Sequence, residues 1–519
     1  MVILVADESV NIPFCSVTSA GLTYYLRRSR LAVFQKHNLM YNYHMNHIIT
    51  VIIIALYAYT IVSTISVLLL ENRNPAKSFS WMLVLLFIPV IGMFFYLLLG
   101  QDYRKKKIIS RKSIRSVIDR PVASFNIDKL DTTLMNENQL NLIKLLYKNS
   151  ESSGYAFNKI NVLADGESTF KAVFDAIRNA KDHIHIEFFI FDDDKISNQL
   201  RELLIQKAGE GVRVRMIYDY WGSFDLSKKY IKSLKEGGIY VRPFLPFRWR
   251  ISRSSKINFR NHRKLIIVDG KVGFTGGLNV ADRYIFGNSL GKWRDTFVRM
   301  EGSVVHGLQL LFMVDWFFVD RKLIDGPQYF PVPQKFELNL VQLVNSGPDS
   351  DWEAIMQGIA SAISSATRYI YIHSPYFMPN EVIATCMQMA ALSGVDVRLM
   401  IPVRSDSRLS DASTNSYLGQ ALEAGVRVFR YHNGFLHSKA IVVDDFISIV
   451  GSCNLDERSF VQNFEANAFI YDTTTANRLK ELFLKDIESC EELSLESWTN
   501  RKRRQKLKES FARLFSPLM

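Results

Sequence analysis

One nine-residue stretch and its echo constrain this chain more than anything else in it. Asn261-His262-Arg263-Lys264-Leu265-Ile266-Ile267-Val268-Asp269, followed after six intervening residues by Gly276-Gly277-Leu278-Asn279, returns as Leu436-His437-Ser438-Lys439-Ala440-Ile441-Val442-Val443-Asp444 and then Gly451-Ser452-Cys453-Asn454. His, Lys, Asp, Gly and Asn recur at the same offsets in both. In each copy the apolar run between Lys and Asp reads as a buried strand closed by a turn. Strand alternation then puts His and Lys, two apart, on one face. The chemistry open to such a pair is narrow. One imidazole can attack an electrophile, the other can protonate the leaving group, and two lysines with two asparagines can hold an anion between them, which describes a phosphodiester.

The remainder of the chain says where that chemistry takes place. At 519 residues and 48% hydrophobic content there is material for more than one domain, and a net charge of +13 favours an anionic partner, nucleic acid or an acidic membrane surface. Cys15, Cys386, Cys453 and Cys490 show no metal-type spacing and no disulfide framework. The apolar run Met1–Ala6 is too short for the core of a cleaved signal peptide and has no basic leader. Arg27, Arg28, Arg30 and Lys36 then lead into Ile48–Leu70, 23 residues without a charge, about 35 Å as a helix and enough to cross a bilayer. Trp81–Gly100 repeats this with 20 uncharged residues. Only Glu71–Ser80 separates them, so two transmembrane helices in a hairpin are expected. Arg104, Lys105, Lys106, Lys107, Arg111 and Lys112 crowd the exit, against Arg73 and Lys77 in the connection, which puts both termini and the catalytic portion in the cytoplasm.

After a polar connection at 101–154, with a helix near 136–147, a repeat of elements begins. A helix at 170–180, a strand at 183–191, a helix at 199–208 and a strand at 211–219 are matched later by a helix at 352–366, strand 369–373, helix 380–392 and strand 394–401. Alternation of this kind argues α/β halves, each a sandwich with a largely parallel sheet, meeting at one interface active site. The expected organisation is an N-terminal extension at 1–47, the two spans at 48–100, the connection, a first repeat at 155–340, a second at 341–485 and a basic tail at 486–519. Gly238 lies 24 residues before His262 whereas Gly425 lies 12 before His437, so the first half carries extra chain. That insertion includes Pro243-Phe244-Leu245-Pro246-Phe247-Arg248-Trp249-Arg250-Ile251-Ser252-Arg253, whose interleaved arginines and aromatics suit a membrane interface or a phosphate-rich ligand, or else a solvated basic loop.

The duplicated pattern resembles that of the phospholipase D superfamily. The twin spans ahead of two such halves, Asn72-Arg73-Asn74-Pro75-Ala76-Lys77-Ser78 leading into the second span, and the closing Ser516-Pro517-Leu518-Met519 look like the bacterial cardiolipin synthases within it. The resemblance runs from about residue 48 to the C-terminus. It implies a phosphatidyltransferase that condenses two phosphatidylglycerols to cardiolipin and glycerol through a phosphohistidine, with phosphatidylglycerol and anionic membrane lipids as partners, no nucleic acid, no cofactor and no metal. The implied catalytic set is His262, Lys264, Asp269, His437, Lys439 and Asp444, with the aspartates read as hydrogen-bonding scaffolds. Asn279 and Asn454 join the lysines in holding the phosphate. Either histidine could attack; the superfamily's usual assignment gives the nucleophile to His262 and the proton to His437. A carboxylate downstream of the Asn orients each imidazole in this superfamily, which pairs Glu465 with His437 and leaves Asp295 for the first half, where position 290 is Leu. A hydrolytic phospholipase D, a serine-accepting transferase, a membrane-tethered nuclease and a non-catalytic scaffold are the alternatives.

Other residues carry weaker signals. Glu187 and His373 occupy matching strand ends and either line the cleft or serve structure. Cys453 reads as a packed thiol. Asp192-Asp193-Asp194 reads as a solvated turn in preference to a metal site. Arg501-Lys502-Arg503-Arg504-Gln505-Lys506-Leu507-Lys508 with Phe511, Leu514 and Phe515 reads either as a basic amphipathic helix lying on an anionic leaflet or as a plain solvated helix.

Overall fold

A computed structural model describes residues 19–70, 75–88, 91–93, 96, 135–150, 152–246 and 258–519. It divides into two units, residues 1–101 and 102–519. In the first, a single helix runs Ser19–Leu70 over 52 residues. It begins well ahead of Ile48, because nothing between Ser19 and Leu70 breaks it: there is no proline and one glycine, Gly21. Within it, Arg27–Tyr59 is the one segment among the described residues long and apolar enough to cross a membrane. The expected second span enters the helix Pro75–Phe87, and Trp81 meets Tyr96 edge-on at 5.4 Å. Residues 89, 90, 94, 95 and 97–100 of that span, the basic cluster Arg104–Lys112, and residues 247–253 of the arginine-aromatic insertion lie outside the described residues.

The second unit holds two sheets of one design. The first runs Lys159–Leu163, Phe297–Glu301, Val272–Gly276, Leu265–Val268, His183–Phe188, Arg213–Asp219, Tyr240–Phe244 in spatial order. The second repeats the order with Leu340–Ser346, Asn463–Tyr471, Ile447–Gly451, Ala440–Val443, Tyr369–His373, Asp396–Pro402, Arg427–Tyr431, and adds Gly154–Ala156 and Cys490–Glu492 at its edges. Neither sheet is largely parallel as expected. Only three strands of each seven run parallel, while the motif strand forms an antiparallel hairpin with the strand after it. Tight turns make that hairpin possible: three residues separate the last pairs, Val268 with Val272 and Val443 with Ile447, and Asp269 and Gly270, and Asp444 and Asp445, all sit at positive φ, which returns the Lys271 and Phe446 amides to Val268 O and Val443 O.

The sheets face one another through a common apolar core. Leu265 and Ile267 of one motif strand and Ala440 and Val442 of the other belong to it, with the helices Val304–Asp320 and Thr473–Ile487. The described part of the connection, from residue 135 on, and the tail at 486–519 are not appendages. Helix Glu137–Ser150 buries Leu142, Ile143 and Leu146 in the outer core of the second half, Gly154–Ala156 pairs with Leu340–Ser346, and Cys490–Glu492 pairs with Arg427–Tyr431.

Candidate active site

Two short ladders cross between the halves and decide which side chains meet. Arg260–Asn261, leading into the first motif, pairs in parallel with the start of Asn463–Tyr471 in the second half, and the His262 amide donates to Phe464 O at 2.9 Å. Reciprocally, Phe435–Leu436 pairs in parallel with Trp293–Arg294, and the His437 amide donates to Arg294 O at 2.8 Å. Each motif histidine therefore arrives beside the carboxylate of the opposite half. His262 Nδ1 faces Glu465 at 2.9 and 3.0 Å, and His437 Nδ1 faces Asp295 at 2.6 Å. This corrects the expected pairing of Glu465 with His437 and of Asp295 with the first half: sequence distance assigns a carboxylate to its own half, whereas the crossed ladders carry it to the other.

Arginines fix the backbone that carries each carboxylate. Arg263 donates to Glu465 O at 3.3 Å and to Asp315 on the helix Val304–Asp320. Arg294 donates to Asp295 O at 2.7 Å and pairs with Asp486 on the helix Thr473–Ile487. Glu187 and His373 lie in these buried layers rather than on a cleft surface: Asn261 Nδ2 donates to Glu187, and His373 lies 3.3 Å from Asp486.

Lys264 and Lys439 are both buried, and each ammonium reaches back to the carbonyl of its own histidine, at 2.7 and 2.5 Å. Lys439 Nζ also stands 2.9 and 3.0 Å from the ring nitrogens of His437. Burial, with the charge of Lys439 added, brings Lys264 down to about 7; burial brings Lys439 down to about 8 against the pull of Asp295 and Glu465. His262 falls to about 4 through burial and the two lysines, against Glu465. His437 is pushed well below the ordinary imidazole range by burial, Lys439, Lys264 and His262 itself. The two histidines and two lysines thus share one electrostatic field. The carboxylates diverge within it. Burial raises both, but the charge and hydrogen bond of His262, with Lys264 and the Ser452 hydroxyl, outweigh it and hold Glu465 below its usual range, whereas Asp295 is pushed up to about 7.

The remaining predicted residues divide. Asn279 takes the Ile190 amide on Oδ1 at 3.2 Å and donates to Tyr284 at 3.1 Å; Asn454 is buried beside Cys453, with its Oδ1 unpartnered among the described residues. Asp269 and Asp444 stand at the far ends of their strands, seven positions from the histidines, a reach of up to about 23 Å at ~3.3 Å per residue. Asp269 caps the amides of Lys181, Asp182 and His183, and Asp444 those of Thr367, Arg368 and Tyr369, so both act on backbone. A cavity of about 650 Å³ lies at that end, among Asp269, Lys181, Lys271 and Arg299, away from the imidazoles. Of the aspartate run, Asp192 pairs with Arg283 and Asp194 caps the helix Lys195–Gly209. The Cys453 thiol is raised well above its ordinary value, burial first and Glu465 second.

Sequence reasoning passed over the aromatic wall. Tyr284 Oη lies 3.4 Å from His437 Nδ1, the Trp293 ring 5.1 Å from that imidazole, and the Phe189 ring 4.9 Å from His262. Tyr376 precedes the strand Phe377–Met378, which pairs with Leu455–Asp456, so it stands abreast of Asn454, its hydroxyl donating to Asp406 at 2.8 Å. Tyr284, five residues after Asn279, was within reach of the motif; Tyr376 carries no local signal.

Comparison with known proteins follows the same outline. The family model described as "Cardiolipin synthase, PLD-like domain" matches residues 173–289 and 359–487, and one described as "Phospholipase_D-nuclease N-terminal" matches 55–101. The chain is 39% identical over 457 residues to cardiolipin synthase 2 of Bacillus anthracis, covering 87% of this chain and 89% of that one. It is 40% identical over 469 residues to the major cardiolipin synthase ClsA of Bacillus subtilis (strain 168), covering 88% and 97%. In fold it is similar to a phosphatidylserine synthase from Haemophilus influenzae Rd KW20, with a TM-score of 0.59 at 14% identity over 74% of this chain and 100% of that one.

Proposed function

Since the chain belongs to the bacterial cardiolipin synthases of the phospholipase D superfamily, we propose that it condenses two phosphatidylglycerols to cardiolipin and free glycerol at the crossed histidines. The observation that carries the reading is that each imidazole is held through Nδ1 by a buried carboxylate of the other half, which turns Nε2 of His262 to the reacting centre and sets Nε2 of His437 beside Lys439 Nζ, 3.0 Å away.

The unequal carboxylates give the histidines unequal tasks. Glu465 stays ionised and His262 stays neutral near pH 7, so His262 Nδ1–H donates to Glu465 and Nε2 keeps the lone pair that attacks phosphorus. The bond to the glycerol oxygen breaks, and that oxygen needs a proton. Asp295, pushed up to about 7, allows the Asp295–His437 pair to retain one near neutrality, and His437 passes it to the departing glycerol. The second phosphatidylglycerol then brings its glycerol hydroxyl. His437 takes that proton as the hydroxyl oxygen attacks the phosphohistidine, the P–N bond breaks, and the pair is restored. Lys264, Lys439, Asn279 and Asn454 surround the nonbridging oxygens, where charge accumulates in the transition state. Asp269 and Asp444 act only by fixing the strands that carry His and Lys.

For location, an apolar N-terminal helix associates the protein with a membrane. The uncharged run Trp81–Gly100 supports a second crossing, and the excess of basic residues at Arg104–Lys112 over Arg73 and Lys77 supports cytoplasmic termini and a cytoplasmic catalytic unit. Purified protein given phosphatidylglycerol alone is expected to yield cardiolipin and glycerol in equal amounts, with chelator present. Phosphatidic acid as the only lipid product would replace this reading with a hydrolase. With a p-nitrophenyl phosphatidyl ester, whose leaving group needs no proton, His437→Ala should release one equivalent of p-nitrophenol and retain the phosphatidyl group, whereas His262→Ala should do neither.

A further inference from the structure

The C-terminal helix Arg503–Arg513 is packed inside out. Its inward side lies along the helix Arg408–Glu423 and buries Ala512 and Glu509, with Glu509 held by Arg501 at 2.7 Å and Gln505 at 3.0 Å. Its outward side carries Leu507, Phe511 and Leu514, at i, i+4 and i+7, exposed by 73%, 61% and 72%. Phe515 meets Phe511 edge-on at 5.4 Å and extends the stripe. At about 100° per residue, Arg503, Arg504 and Lys508 share the same outward arc of roughly 140°. Glu509, the one acidic residue of 501–519, faces in. A helix on a soluble surface presents the opposite arrangement, and apolar stripes of this kind mark contact surfaces.

The segment is anchored to the wall of the active site. Arg513 stacks over Tyr417 at 4.2 Å, Ser516 and Tyr417 share a hydrogen bond of 2.7 Å, and the Gln462 amide donates to Pro517 O at 3.3 Å. Gln462 directly precedes Asn463, whose Nδ2 donates to Glu465 at 3.2 Å. Whatever seats the outward face therefore also orients the strand that carries the partner of His262.

We propose that this face is a membrane-docking surface whose occupant is the headgroup–acyl boundary of an anionic leaflet. The charge pattern selects that occupant: three cations flank the apolar stripe with no acidic residue among them, so a second copy of the helix would meet its own charge, while anionic headgroups complement it. Docking brings the catalytic unit against the phase that holds its substrate, and so rests on the lipid-synthase reading above.

The test uses the full-length protein. Leu507→Asp/Phe511→Asp/Leu514→Asp should lose at least about tenfold in turnover of long-chain phosphatidylglycerol in vesicles, since three apolar side chains that would enter the leaflet are replaced by anions that its headgroups repel. Turnover of dihexanoyl phosphatidylglycerol below its micelle concentration should stay within about twofold of wild type. Equal losses on both substrates, or none on either, would overturn the proposal. Phe511→benzoylphenylalanine should photo-cross-link to vesicle lipid, and adducts only to another protein chain would overturn it as well. A wild-type protein that makes no cardiolipin from either substrate while still cross-linking to lipid would fault the synthase reading and leave docking standing.

Discussion

At position 277 the first half carries glycine, and at the matched position 452 the second half carries serine. A Cβ on Gly277 would fall 2.1 Å from Asp295 Oδ1, so that carboxylate presses against bare backbone. The Ser452 hydroxyl instead donates to Glu465. Glu465 thereby collects His262, Ser452 and the Asn463 amide, while Asp295 has His437 and the Thr296 amide at 2.7 Å. The two halves repeat their fold, their motif offsets and even the arginine behind each carboxylate, yet they differ in where a proton is stored. In the proposed reaction one half keeps its carboxylate charged and its imidazole free to attack, and the other keeps a proton to give away. On the proposed reaction, a duplicated motif serves two unlike steps through one methylene and hydroxyl present beside Glu465 and absent beside Asp295.

The sharpest way to break this contrast is to neutralise each carboxylate in turn. Glu465→Gln and Asp295→Asn are each expected to lower kcat by about 10³-fold, within the range for losing the group that orients and charges a catalytic histidine. Their pH profiles should differ. In kcat the bound phosphodiester keeps both lysines protonated, so the alkaline limb belongs to the Asp295–His437 pair, which loses its proton as pH rises above about 7. Asp295→Asn should abolish that limb and Glu465→Gln should retain it. Identical profiles would mean that the halves are not differentiated. A milder change sharpens the same point. Ser452→Ala removes one donor to a charged acceptor, expected to cost about tenfold in kcat; because the donor holds Glu465 down, its loss should also move the acid limb of the profile upward.

Much of this arrangement was legible from the chain. The motif strands, Tyr369–His373, and the helices Lys195–Gly209 and Glu381–Leu392 fall where the apolar runs place them, because local pattern decides them. The sheets' antiparallel flanks were not. Lys159–Leu163 and Phe297–Glu301 are partly exposed edge and near-edge strands whose mixed residues have no strong period. The pairing of His262 with Glu465 was beyond local reading for a different reason: it depends on Asn463 and Phe464 reaching across to Arg260 and Asn261, a tertiary ladder of two residues. Naming both carboxylates could not say which histidine each one faces.

The smallest expected effect lies beneath the histidines, where Glu187 and His373 face unlike partners. Glu187 is fully buried with Asp315 and Arg263, and Asn261 donates to one of its oxygens. Burial raises its pKa first and the charge of Asp315 second, with Arg263 opposing, so its carboxyl stands well above the usual range. In the other half His373, pushed down mainly by burial, lies beside Asp486, an aspartate held below its usual range. A raised carboxyl stabilises the fold fully only below its unfolded pKa of about 4.3, and that stability is lost as pH rises toward the folded value, since the unfolded chain can ionise and the folded one resists it. Glutamine has the shape of the protonated acid, can accept from Asn261 and donate to Asp315, and does not ionise. Glu187→Gln should therefore stabilise the protein by about 1 kcal/mol at pH 7, well inside the linkage limit for a carboxyl raised over that interval, with the gain vanishing near pH 4. Thermal unfolding of the wild type and variant across that range measures it. A destabilised variant at pH 7 would mean that Glu187 is ionised in the fold, making the two underlying layers more alike than their residues suggest.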